Sequence, residues 1–217
     1  AGLVIVGNSG LDSVTIGTGG VDLSAVTTGV ANLTFTANIL GTSNSTSTLA
    51  LSNAIKTKGI NASTYLSAGN INGSGLITTP SITLAALSGI GATTALNMAS
   101  QSIAADSSNG KIVINNSSAS AVAVSSLTTA GIINPNGALI TFAQSGGGTV
   151  TFNNVSSAGS NDGYGVISLS NSGAGGGITV AGGSGVTSRT GSTITLQTTQ
   201  GGNIVVNTLI DGNIGDG

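Results

Sequence analysis

Ile140, Ile167 and Ile194 recur at one even interval, each at the same point of an alternating run: ITF, ISL and ITL. Phe142, Leu169 and Leu196 keep that interval, with Thr141, Ser168 and Thr195 between the two sets. A second run follows each time, starting at Val150, Ile178 and Ile204, and upstream Ile112 and Val122 precede Ile140 and Val150 in nearly the same phase. A sustained period of about 27 residues is the signature of a solenoid, and no other feature of the sequence narrows the fold as far. In a β-solenoid each repeat is one coil, and each strand pairs in parallel with its copies in the coils above and below. Coils rise by about 4.8 Å, the inter-strand spacing. Ile140, Ile167 and Ile194 then stack inward, while Thr141, Ser168 and Thr195 stack outward.

The rest of the sequence fits this plan. Val, Ile and Thr dominate the short runs, and branching at Cβ suits a pleated surface. Gly146 to Gly148, Gly175 to Gly177 and Gly201 to Gly202 fall at one place in three successive repeats, where positive φ at sharp corners is the expected reason for glycine. Asn115, Asn116, Asn153 and Asn154 follow runs, and stacked amides there are expected to satisfy corner carbonyls. The reading is all-β: a right-handed parallel β-solenoid (β-helix) over residues 1–217, about eight coils of ~27 residues and roughly 38 Å of rod. The repeat is clearest over 111–206. Residues 1–110 form more irregular coils, with Ile82 as the nearest in-phase position before Ile112. A β-sandwich is the competing architecture, and it predicts no sustained period.

Composition narrows function mainly by exclusion. Charged residues make up 5% of the 217, and there is no His, Cys or Trp, against about 25% charge in ordinary domains. Disulfides, thiolate metal sites and His-based triads are therefore out of reach. Lys56, Lys58, Lys111 and Arg189 are scattered and form no basic stripe for nucleic acid. No apolar run is long enough to cross a membrane as a helix. The 39% apolar content argues against disorder. All six acids are Asp in turn-like contexts, where Asp serves as a turn former. Asp211, Asn213 and Asp216 in DGNIGDG loosely match a calcium loop but lack its closing Glu. GGSGVTS (182–188) begins like a calcium-binding nonapeptide and then has Thr187 where Asp belongs. No catalytic, cofactor or metal residue is assigned, and the chain reads as non-enzymatic.

The ITL, VTF, ISL and ITV runs between Gly-Ser-Asn turns resemble the repetitive shafts of filamentous-haemagglutinin-type and autotransporter-like bacterial surface adhesins. Asn134-Pro135-Asn136-Gly137 is similar to the N-P-N-G turn of their secretion domain. The companion N-P-N-L is absent, and the motif lies mid-chain. The family's common repeat is shorter than the one here, which implies larger coils or longer corners in this chain. The resemblance implies an extracellular, non-enzymatic, elongated shaft on a bacterial surface. The sequence begins at Ala1 without Met and reads as a mature or excised segment. Its apolar first and last runs leave the solenoid open to end-to-end or lateral association. The alternative function is a carbohydrate- or ice-binding module. Tyr65 and Tyr164 would serve glycans, and the columns Thr141/Ser168/Thr195 and Thr151/Thr179/Val205 would serve ice.

Overall fold

The structure is a computed structural model that describes residues 2–6, 13–25, 32–36, 47–57, 59–129, 140–157, 165–189 and 192–214. Among the described residues twenty strands join one continuous sheet, and every pairing is parallel. The first coil holds β1 (Gly2–Val6), β2 (Ser13–Ile16) and β3 (Val21–Asp22), and the second holds β4 (Asn32–Thr36), β5 (Thr48–Leu51) and β6 (Ile55–Lys56). The third is β7 (Ser63–Asn72) with β8 (Leu76–Thr78), and the fourth is β9 (Ser81–Ile90) with β10 (Leu96–Ala99). Then come β11 (Ser102–Ser107) with β12 (Ile112–Asn116), and β13 (Val122–Thr129) with β14 (Ile140–Gln144). The seventh and eighth coils pair β15 (Val150–Ser157) with β16 (Ile167–Asn171), and β17 (Ile178–Arg189) with β18 (Ile194–Thr198). β19 (Ile204–Val206) and β20 (Ile210–Ile214) lie on β17 and open a ninth. No helix occurs among the described residues. The Ala- and Leu-bearing stretch 84–106 contains strands and turns only.

Three ladders of strands run along the object. The first face is β1–β4–β7–β9–β11–β13–β15–β17. The third is β3–β6–β8–β10–β12–β14–β16–β18. The second, from β2 and β5 through the ends of β7 and β9, merges into the third at β12. Alternation sends every other side chain inward. One inward column runs Leu49, Ile71, Ile90, Ile112, Ile140, Ile167 and Ile194. All but the last are fully buried, each contributing roughly 1.5–3 kcal/mol. Phe142 and Phe152 meet edge-to-face inside, with ring centroids 5.3 Å apart.

The register corrects the expectation of a uniform coil. Ser63 pairs with Ser81 and Ser81 with Ser102, offsets of 18 and 21, whereas Ile112 and Ile140 are offset by 28. Ile112 stacks on Ile90, not on Ile82, which belongs to the first face. The step from an offset of 22 at Ser107 to 28 at Ile112 arises at one corner. Only a short turn separates Ser107 from Ile112, while a much longer connection separates their partners one coil on, Thr129 and Ile140. Coils three to five are therefore compact, whereas the first coil is longer, with Gly2 paired to Asn32 and Ser13 to Thr48, and coils from the sixth carry extra chain between the first and third faces. The number of coils agrees with the sequence reading, but their length varies.

The glycine corner works differently from the expectation too. Gly175 and Gly201 do adopt positive φ. Gly146, Gly148, Gly173 and Gly202 do not, and their constraint is the neighbouring coil. A Cβ on Gly173 would lie 1.8 Å from the carbonyl oxygen of Gly146, and one on Gly146 would lie 1.8 Å from that of Ser118. Coils at strand spacing leave no room for a side chain aimed along the axis.

The same corner is sealed from inside by amides. Val21, Ile55, Ile77 and Met98 form one inward column, and from the fifth coil it continues as Asn116, Gln144, Asn171 and Thr198. Asn116 Nδ2 donates to Gln144 Oε1 at 2.8 Å and to the Ser100 carbonyl at 3.0 Å. Asn171 Nδ2 donates to the carbonyls of Gly148 and Gly177, and the Gly173 amide donates to Asn171 Oδ1. Buried corner groups without such partners would each cost about 1–3 kcal/mol. Asn116 thus meets its expected role. Asn153 and Asn154 do not follow a strand but lie inside β15, beside the bulge where it pairs with β17. Gly182 to Ser188, the stretch with a calcium-loop beginning, is part of β17 and its bulge.

Three substitutions test this packing. Gly173→Ala is expected to destabilise by about 1–3 kcal/mol, the usual cost of overpacking. Gly17→Ala, with nothing within 4 Å of the new methyl, is expected to leave the melting temperature within a degree or so of the parent, roughly the scale of a neutral surface change. Thr64 stands in an otherwise aliphatic column between Leu33 and Ile82, and its buried hydroxyl has no partner. Thr64→Val is expected to stabilise by about 1 kcal/mol, read from thermal or denaturant unfolding; a loss of stability would contradict the assignment.

Candidate functional surface

Whatever the protein touches meets the outward positions, and these are small and mostly uncharged. On the first face one outward column runs Ser63, Ser81, Ser102, Ala123, Thr151, Thr179 and Val205. A second runs Ser67, Ala85, Asp106, Thr128 and Ser156. On the third face Val113, Thr141, Ser168 and Thr195 stack. The two threonine-bearing columns singled out for ice thus belong to separate ladders, and each is interrupted, by Val205 in one and by Ser168 in the other. Asn97 and Asn115 stack outward side by side, Asn115 Nδ2 donating to Asn97 Oδ1 at 3.1 Å.

The described acids stand apart from one another. Asp22 and Lys56 are register partners across the first and second coils, with Nζ 3.9 Å from Oδ2, and both are about half exposed. Asp106 lies on the first face, where Oδ1 accepts hydrogen bonds from the hydroxyls of Ser126 and Thr128. Asp211 is in β20, paired with Thr187. Among the described residues no three acids form a group able to hold a metal ion. Asp216 and the side chain of Asn213 lie outside the described residues, as do Asp12, Asp162, Tyr164 and the Asn134–Gly137 motif. Of the two tyrosines, Tyr65 is placed: outward on β7 and 39% exposed. Among the described residues no helix is long and apolar enough to cross a membrane.

Among the depressions of the described surface are two shallow ones. One, of about 350 Å³, opens beside Asp106 over Ala85 and Leu87. The other, of about 380 Å³, lies at the turn between the third and first faces, among Thr57, Thr79, Pro80 and Gln101, next to the exposed Ile60. Sequence reasoning treated Asp106 only as a turn residue. The signal that it belongs to a strand was the alternation of SIAADS, in which Ile103 and Ala105 point in and Asp106 points out. Compared with protein families, with curated proteins and with solved structures, the chain matches none of them.

The Asp22 carboxyl is held below the usual carboxylate range, first by the side-chain hydroxyl of Ser24, then by its backbone N–H at 2.8 Å, with Lys56 a smaller influence. A depressed folded value stabilises the fold at pH above the unfolded value, and that contribution is lost as pH falls through the folded one. An NMR titration is expected to place Asp22 below a free Asp. Ser24→Ala should raise it by more than Lys56→Met does; the reverse order would show the ion pair to be the cause.

Proposed function

We propose that this chain is a structural, non-enzymatic shaft segment of an extracellular bacterial fibre or adhesin. The observation that carries the proposal is the uninterrupted stack. From the first coil to the eighth every strand of the first face pairs in parallel with the next. Parallel hydrogen bonds along one axis, around a core continuous from coil to coil, make a stiff rod whose stability is a sum over neighbouring coils. The outward faces carry few charges and no clustered acids among the described residues, which favours a spacer over a catalyst. The likeness of its runs to adhesin shafts, and of the sequence Asn134-Pro135-Asn136-Gly137 to a motif of their secretion domain, supports a place on a bacterial surface.

The core columns also reach the last described coil unchanged. Ile204, Val206 and Ile210 continue Ile178, Val180 and Val186, and each is between 37% and 48% exposed. A further coil, of this chain or of another copy, pairs with β19 and β20 by the same bonds. Bare strand edges promote such pairing, and low net charge does little to oppose it.

Sedimentation and electron microscopy of the purified chain at rising concentration test the reading. Rods that lengthen with concentration are expected, and Ile204→Lys with Val206→Lys should halt the lengthening while leaving the melting temperature nearly unchanged, because both side chains are already exposed. Compact globules at every concentration would overturn the fibre reading.

A further inference from the structure

The outward column Ser67, Ala85, Asp106 and Thr128 contains a step. Most outward positions on this face are Ser or Thr, but Ala85 is short and leaves a hollow between its neighbours. Leu87, half-buried, gives the hollow an apolar wall, and Ala85 forms its floor. Asp106 forms the opposite side. Its Oδ1 is held by the hydroxyls of Ser126 and Thr128, while Oδ2 accepts no hydrogen bond among the described residues. Ser107 borders the hollow, but its side chain is 3% exposed and stacks inward between Ala86 and Thr129. Tyr65 stands two residues before Ser67 on the same strand, pointing to the same side.

We propose that this hollow binds one neutral sugar residue of a glycan, held by the Asp106 carboxylate and the Ser67 and Thr128 hydroxyls against Leu87 and Ala85. The chemistry selects the ligand. A fixed carboxylate oxygen takes hydroxyl donors, and a pair of ring hydroxyls offers two. Hydroxyl side chains both donate and accept, matching a ligand that does the same. The C–H face of a sugar ring packs on apolar wall and floor. A volume of about 350 Å³ is at the small end of ligand sites and suits a single residue. No Lys or Arg lines the hollow, so sialic and uronic acids would set a carboxylate against Asp106 without compensation. The inference is independent of how far the solenoid extends or whether it assembles.

The test is an amide-resolved NMR titration of the whole chain with methyl β-galactoside, methyl β-glucoside, methyl α-mannoside and methyl β-glucuronide. At least one neutral glycoside is expected to shift the amides of Ala85, Asp106, Ser107 and Thr128 saturably in the millimolar range, and the glucuronide is expected not to. Ala85→Phe, at an outward position, fills the hollow and should abolish the response. Asp106→Asn keeps the shape and should weaken binding about tenfold, the loss of one charged hydrogen bond. The inference is overturned if none of the neutral glycosides shifts these amides, if both variants bind like the parent, or if the glucuronide binds as well as the neutral sugars.

Discussion

Every other property of this molecule depends on the parallel backbone ladder between successive coils. Each strand gives its hydrogen bonds to the coil before and the coil after, so the spacing along the axis is fixed at about 4.8 Å. Side chains must then stack like on like, since a strand shifted by one residue would turn its core face to solvent. The Ile column from Ile71 to Ile167 follows directly from that demand. So does the loss of Cβ at Gly146 and Gly173, where the chain crosses from one face to the next and the neighbouring coil's carbonyl occupies the space.

Corners are where such a ladder is weakest, because the backbone leaves the strand geometry and its polar groups lose their ladder partners. This chain solves the problem in two ways. In the earlier coils the corner column is apolar, Ile55, Ile77 and Met98, and the turn ahead of it is tight. From β12 onward the second and third faces fuse into one strand, and the column becomes Asn116, Gln144 and Asn171. Buried amides are favourable only when their donors and acceptors are met, and here the hydrogen bonds to Ser100, Gly148, Gly173 and Gly177 meet them. A polar interior column also penalises wrong registers, since an amide displaced onto the Ile column would lose its partners.

The sequence revealed the fold wherever coils had equal length. Ile112, Ile140, Ile167 and Ile194 are in phase, and their stacking is as the spacing implied. It misled where coil length changes. Ile82 looked like the preceding step, yet Ile90 holds that place, because the connection from Ser107 to Ile112 is less than half as long as the one from Thr129 to Ile140. Periodicity measures distance along the chain, and stacking depends only on position within the coil. The hollow beside Asp106 was hidden for the same reason. It takes shape from Ser67, Ala85, Asp106 and Thr128, whose closer spacing the longer repeat of the later coils does not suggest. The corner amides Gln144 and Asn171 were equally hidden, because nothing local separates an inward Gln from a solvated one.

The corner between the first and third faces admits chain of different lengths while the strands on either side keep their partners. Thr128 and Ser156 stack across it as regularly as Asp106 and Thr128, although the coils that contain them differ in length. A scaffold of this kind separates inheritance of shape from inheritance of sequence length. Insertions at that corner alter what the surface displays without touching the axis, and whole coils gained or lost alter reach without touching what is displayed. Length and decoration can therefore diversify independently in one rod.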